Sequence, residues 1–214
     1  MEEDTRKRII QKGWERFLAM GFSKVTMDEI ADDLGISKKT LYKYFESKND
    51  LIEIVIQQQL LGISVQVHQI VSADMEYVEK LNRLFTFLGN FISRIGKQFA
   101  DDLQRTKPAL WERIDQFRRE KILVNIGNIL EQGIQQGMFR KDLDKDVAML
   151  MFLTAVPGVV NPDILSRHAF SAGEAFESMI GIFFEGVLTD EARERYRDLH
   201  HAVSIPDTNG RLPS

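Results

Sequence analysis

The run from Val25 to Asp50 constrains the fold of this chain more than any other, because it holds three helix starts in quick succession. Thr26 with Glu29 three residues on is a capping box, in which the two side chains satisfy the orphan N–H groups of a helix start. Val25 before that cap and Ile30 after it form a hydrophobic staple. Gly35 supplies the left-handed backbone that ends a short helix after Leu34. Ser37 caps the next helix, with Ile36 and Leu41 as its staple, and Ser47 with Asp50 opens a third. Two short helices joined by a three-residue turn containing glycine form the helix-turn-helix pattern.

The faces of the second helix point to its work. At about 100° per residue, Leu41 and Phe45 share the buried side. Lys39 and Lys43 then face outward, flanked by Thr40 and Tyr42. Cations and hydrogen-bonding groups on a rigid support suit a DNA major groove, where they reach phosphates and base edges. The expected DNA-binding residues are Thr26, Ser37, Lys38, Lys39, Thr40, Tyr42, Lys43, Tyr44 and Lys48. Within this set Lys39, Thr40, Tyr42 and Lys43 face the groove, whereas Thr26, Lys38, Tyr44 and Lys48 meet phosphates. At Lys48 the helix start adds free N–H groups to the ammonium charge.

Phe17, Gly21, Thr26, Ile30-Ala31, Gly35, Ser37, Leu41-Tyr42, Phe45, Lys48 and Leu51 together resemble the N-terminal DNA-binding domain of the tetracycline-repressor (TetR/AcrR) family. The match covers roughly the first quarter of the chain. Two positions depart from the usual pattern: Gly13 stands where alanine is common, and Lys43 where an aromatic is frequent. The resemblance implies an all-α fold, with an N-terminal three-helix DNA-binding domain and a C-terminal helical bundle for ligand binding and dimerisation.

Charge fits that division. The chain carries a net −4, which by itself argues against a polyanionic partner. Residues 1–50 balance ten basic against ten acidic side chains, however, and residues 38–48 hold four lysines against Glu46. An acidic protein can still present a cationic patch. There is no cysteine, hence no disulfide or thiol chemistry. The N-terminal residues lack a secretory signal, and the apolar run from Val147 to Val160 is shorter than the roughly 20 residues that span a bilayer. A cytoplasmic protein without membrane contact is expected.

The rest of the chain reads as long amphipathic helices. A first helix is expected to Met20, with Ile10, Trp14, Phe17 and Leu18 as its buried stripe. A long helix from Lys48 reaches about Val71. Leu81, Leu84, Phe85, Leu88, Ile92, Ile95 and Phe99 form one stripe, and a helix opening at Pro108 is expected to continue to Gly137. A helix from Asp146 is expected to stop at Pro157-Gly158, Asn161-Pro162-Asp163 reads as a turn, and Ser171 with Glu174 caps a helix through Val187. The expected domains are residues 1–47, residues 48–204 and a disordered tail at 205–214.

No constellation assembles an active site. Asp32-Asp33 and Asp101-Asp102 diverge by about 100° on a helix. His200-His201 lack a third ligand at metal-site spacing. No enzyme activity, cofactor or metal is expected. Fourteen Phe and eight Met instead suggest an apolar core with a ligand cavity. Phe85, Leu88, Phe91, Phe99, Trp111, Phe117, Met149 and Phe152 are its expected lining. The ligand is expected to be small and largely apolar, with one polar group met by Asn82, Asn90, Gln116 or Asn125. A strongly anionic ligand is disfavoured, since no arginine reads as inward-facing.

The reading is a DNA-binding transcriptional regulator, a repressor released from a palindromic double-stranded operator by a small-molecule effector. The alternative is a helix-turn-helix structural protein or a regulator without an inducer. A homodimer is expected through the helix from Asp146 and the helix at 172–188, with Phe176, Met179, Ile180, Phe183, Phe184 and Val187 supplying the apolar surface.

Overall fold

The computed structural model describes residues 2–203, and those residues are all-α. The expected tail at 205–214 and the side chains of His200 and His201 lie outside the described residues.

The head is built as the caps dictate. Helix α1 (Glu2–Met20) ends at Gly21, whose φ of 79° is the left-handed conformation glycine tolerates. Helix α2 (Met27–Leu34) starts on the complete Thr26–Glu29 capping box and stops at Gly35, φ 64°. Helix α3 (Lys38–Tyr44) is capped by Ser37, which accepts from the Thr40 N–H. Ile9, Trp14, Phe17, Val25, Ile30 and Leu41 close one apolar core. That core takes in Leu51, Ile52 and Val55 from the first half of α4 (Lys48–Ser72). Gly13 lies where α1 crosses α4; a Cβ added there would sit 3.4 Å from Val55 and 3.5 Å from Leu51.

The bundle follows. Helix α5 (Tyr77–Ser93) packs on α11 (Ala172–Val187) and α12 (Asp190–Val203), while α9 (Lys145–Val159) packs on α11 and on α8 (Leu123–Gln135). Leu81, Leu84, Ile129, Phe152, Phe176 and Phe184 are the centre of this second core. Tyr77 donates to the Ile129 carbonyl at 2.7 Å, and burial pushes its phenol well above the ordinary range.

Three expected helices are drawn differently. The stripe from Leu81 to Phe99 breaks at Gly96, so Phe99 belongs to a separate helix α6 (Lys97–Thr106). From Pro108 the chain is helical to Gln135, but it widens into one π-helical turn at Arg118–Ile122 between α7 (Pro108–Phe117) and α8. Pro157 does not stop α9, which runs to Val159. Pro157 forfeits the hydrogen bond its nitrogen would have made and crowds the Leu153 carbonyl, and the helix ends two residues later. Asn161 caps a short helix, α10 (Pro162–Ser166), in place of a plain turn.

Candidate nucleic-acid interface and apolar cavity

On the head, Leu41 and Phe45 are buried, whereas Ser37, Lys38, Lys39, Tyr42 and Lys43 are exposed along one side of α3. Thr26 is exposed at the start of α2, and Thr40, Tyr44 and Lys48 are half-buried at the edges. Carboxylates of the chain already hold two of these cations. Lys43 Nζ meets Glu2 Oε1 at 2.7 Å, and Lys38 pairs with Asp28. The hydrogen bond and charge of Lys43 hold the Glu2 carboxyl below its ordinary range. Both pairs are solvent-exposed and hence weak, so a phosphate can replace either carboxylate. Lys39 has no ion pair among the described residues. Arg6 lies over the Phe45 ring at 5.4 Å and ties the start of α1 to the end of α3.

Lys48 is placed differently from the other lysines. Its ammonium reaches the Ser23 carbonyl at 3.4 Å, and burial lowers its pKa, partly offset by the charge of Asp102. Asp102, on α6, accepts from the Ser23 N–H and the Ser23 hydroxyl, each at 2.5 Å. A buried carboxylate of the bundle therefore holds the turn between α1 and α2. Nothing in the sequence marked it: neighbouring aspartates are common on exposed helices. Lys107 to Asn49 (2.5 Å) and Arg113 to Glu53 (3.2 Å) add two further ties to α4.

Between head and bundle lies a cavity of about 190 Å³. Leu60 and Ile63 of α4, Leu88 and Phe91 of α5, Trp111, Ile114 and Phe117 of α7, and Phe152 of α9 form its walls. A dry apolar cavity of roughly 150 Å³ suffices for benzene. Of the eight expected lining residues, Leu88, Phe91, Trp111, Phe117 and Phe152 meet here.

The other three do not. Phe99 is buried in the head core, edge-on to Trp14 at 5.5 Å and against Phe22 at 4.8 Å, because the break at Gly96 turns α6 toward α1. Phe85 packs on Phe184 at 4.9 Å and borders a separate open groove with Thr86, Asn90, Ser93 and Glu174. Met149 packs against Gly127. The expected polar partners also point elsewhere. Asn90 belongs to the groove, Gln116 donates to Glu120, Asn125 donates to the Lys121 carbonyl, and Asn82 is buried without lining the cavity. Among the described residues the one charged side chain on the wall is that of Arg118, contrary to the expectation that no arginine faces inward. The spacing Trp111, Ile114, Arg118 carried that signal, because three and then four residues keep one helix face.

Leu60, Phe91, Ile95, Trp111 and Ile114 of the cavity wall also pack against the head core, and the Phe91 ring stacks on Trp14, centroids 6.2 Å apart and 8° from parallel. The cavity and the head core thus share a wall.

The expected dimer residues are largely used within the chain. Phe176, Ile180, Phe184 and Val187 are buried in the bundle core, and Met179 and Phe183 are half-buried against it. Helix α11 instead exposes Ile182 (76%), and α9 exposes Val147 (52%), Leu150 (60%) and Met151 (58%). The α11 sequence is apolar on more than one side, and packing against α5 and α9 buries Phe176, Ile180, Phe184 and Val187.

Residues 9–55 match the family of bacterial regulatory proteins, tetR family. The chain is 27% identical over 188 residues to the HTH-type transcriptional regulator YvaF of Bacillus subtilis, covering 86% of this chain and 96% of that protein. It is 28% identical over 145 residues to the HTH-type transcriptional repressor KstR2 of Mycolicibacterium smegmatis, covering 66% and 71% respectively. Its fold is similar to that of the transcriptional regulator FadR from Bacillus subtilis, solved in complex with stearoyl-CoA. That match has a TM-score of 0.60 at 18% identity and covers 84% of this chain and 98% of that one.

Proposed function

The chain belongs to the TetR/AcrR family of transcriptional regulators, and from that premise we propose that it is a repressor released from its operator by a small, largely apolar molecule held in the cavity. The observation that carries this reading is the shared wall, Phe91 on Trp14. A ligand that repositions Phe91, Leu60 or Ile63 acts directly on the helices that aim the head. Its leverage equals its differential affinity for the DNA-bound and released arrangements. KstR2 is named a repressor, and FadR was solved with an acyl-CoA, so both relatives fit the reading.

Groove contacts fall to Lys39, Thr40, Tyr42 and Lys43, and phosphate contacts to Thr26, Lys38 and Tyr44. Lys48 serves a phosphate while its ammonium also holds the Ser23 turn. A homodimer reads two half-sites about one helical turn, or a multiple, apart. Its interface centres on Val147, Leu150, Met151 and Ile182, the large apolar side chains that α9 and α11 leave exposed.

The test uses a DNA duplex selected by the protein from a random pool. Small apolar compounds that raise the melting temperature should also release that duplex. A repressor without an effector would show neither response to any compound. Light scattering at micromolar concentration should give a dimer for the wild type and a monomer for Ile182→Glu.

A further inference from the structure

The cavity wall holds an imbalance of charge. Arg118 lines the cavity and pairs with Asp115, and Arg119 donates to the same carboxylate through Nε at 2.7 Å. One carboxylate shared by two guanidinium groups leaves one positive charge in excess. The Arg118 and Asp115 side chains are about three-quarters buried, whereas Arg119 is 71% exposed. The group of Arg118, Arg119 and Asp115 thus carries a net positive charge beside the apolar wall, and its one carboxylate is shared. Burial, opposed by the charge of Asp115 and aided by that of Arg119, lowers the pKa of Arg118, which is the cost of holding a cation there.

The local backbone supports that placement. Arg118 is the first residue of the π-helical turn, and such turns are a frequent feature of functional sites. The nearest expected polar groups are spent elsewhere, Gln116 on Glu120 and Asn125 on the Lys121 carbonyl. Among the described residues an anionic ligand group therefore has one charged partner on the wall, and that partner matches a carboxylate. A guanidinium offers a planar two-pronged fork that a carboxylate meets in its own plane.

The geometry points to an amphiphilic carboxylate as the effector, its hydrocarbon body against Phe91, Trp111 and Phe152 and its carboxylate on Arg118. This deepens the proposed function and rests on the cavity being the effector site. A ligand carboxylate on Arg118 leaves Asp115 to Arg119, so each of two cations gains its own anion. An alcohol of equal length fills the same space without completing that exchange. A cation of equal length places like charges together. A cavity of about 190 Å³ suits a body of roughly benzene size or a short alkyl chain, and the walls must give for a longer one.

The test titrates octanoate, 1-octanol and octylammonium into the full chain, read by tryptophan fluorescence, with Trp111→Phe to locate the response. Octanoate should bind about tenfold or more tightly than octanol, as expected for one charge-assisted hydrogen-bonded pair, and octylammonium most weakly. Arg118→Gln should bind octanoate and octanol alike, and Arg118→Lys should fall between. Asp115→Asn, which removes the internal competitor, should bind octanoate more tightly than the wild type. A purely structural role for the pair would not produce that gain. Equal binding of octanoate and octanol by the wild type, with Trp111 reporting, overturns the carboxylate assignment and leaves the cavity as effector site. No binding by any of the three, or a response that survives unchanged in Trp111→Phe, overturns both.

Discussion

The head and the bundle reach the same secondary structure by different means. In the head each helix start carries its own instruction: Thr26 with Glu29, Ser37 with Thr40, Ser47 with Asp50. Helices of seven and eight residues are marginal alone, so local caps and a shared core are both needed. In the bundle several helices are capped as well, α5 by Glu76, α9 by Asp144 and α11 by the Ser171–Glu174 box, but which apolar face meets which neighbour is decided at long range. A sequence dense in local signals declares its structure; one dense in phenylalanine declares only that something will be buried.

The sharpest way to break that comparison is to remove a bundle residue on which the head depends. Phe99→Ala deletes the partner of Trp14 and Phe22 and should cost about 3–5 kcal/mol in urea unfolding. Its hydrogen-exchange signature should appear in α1 and α2 as well as in α6. If protection is lost in the bundle alone, the head is self-contained and the coupling described above is wrong.

Asp102→Ala asks the same question with a polar tie. The Ser23 N–H and hydroxyl lose their acceptor, which should cost about 1–3 kcal/mol. DNA affinity should fall for selected and random duplexes alike, because the turn before α2 loosens without any base contact changing.

Thr26→Ala probes the local signals themselves and should cost about 1 kcal/mol at neutral pH. The Thr26 backbone and hydroxyl bonds hold the Glu29 carboxyl below its ordinary 4.5. A depressed carboxyl contributes stability that is complete above the ordinary value and is lost as pH falls through the folded one. The difference between wild type and Thr26→Ala should therefore shrink on acidification below about pH 4.5. A difference that is constant down to pH 2 would mean that Glu29 plays no part in the cap.

Gly13→Ala is the smallest expected effect and the one of opposite sign. The added methyl meets Val55 and Leu51 at ordinary contact distance, and replacing glycine within a helix stabilises by up to about 1 kcal/mol. A lower melting temperature would show that α1 and α4 are packed too closely for a methyl.

What the sequence disclosed follows the same line. The head was legible because its determinants lie three or four residues apart: a cap and its acid, a glycine and the helix it ends. Phe99 could not be placed, because periodicity does not see the break at Gly96 that swings α6 onto Trp14. Arg118 was legible in principle, four residues after Ile114 and seven after Trp111. Phe117 beside it, together with the prior that arginine faces solvent, hid it. On α11 apolar side chains point more than one way, and only packing against α5 and α9 set which of them are buried.

The central claim is that occupancy of the cavity is felt by the head through the wall they share. It is tested most directly by the anisotropy of a labelled, protein-selected duplex, titrated with a compound that thermal stabilisation shows to bind, for wild type and Phe91→Ala. In the wild type, saturating compound should raise the DNA Kd by about tenfold or more, the scale of a typical coupling between sites. In Phe91→Ala the compound should still bind while that ratio falls toward one. A compound that binds the wild type in the cavity and leaves the DNA Kd unchanged would contradict the account.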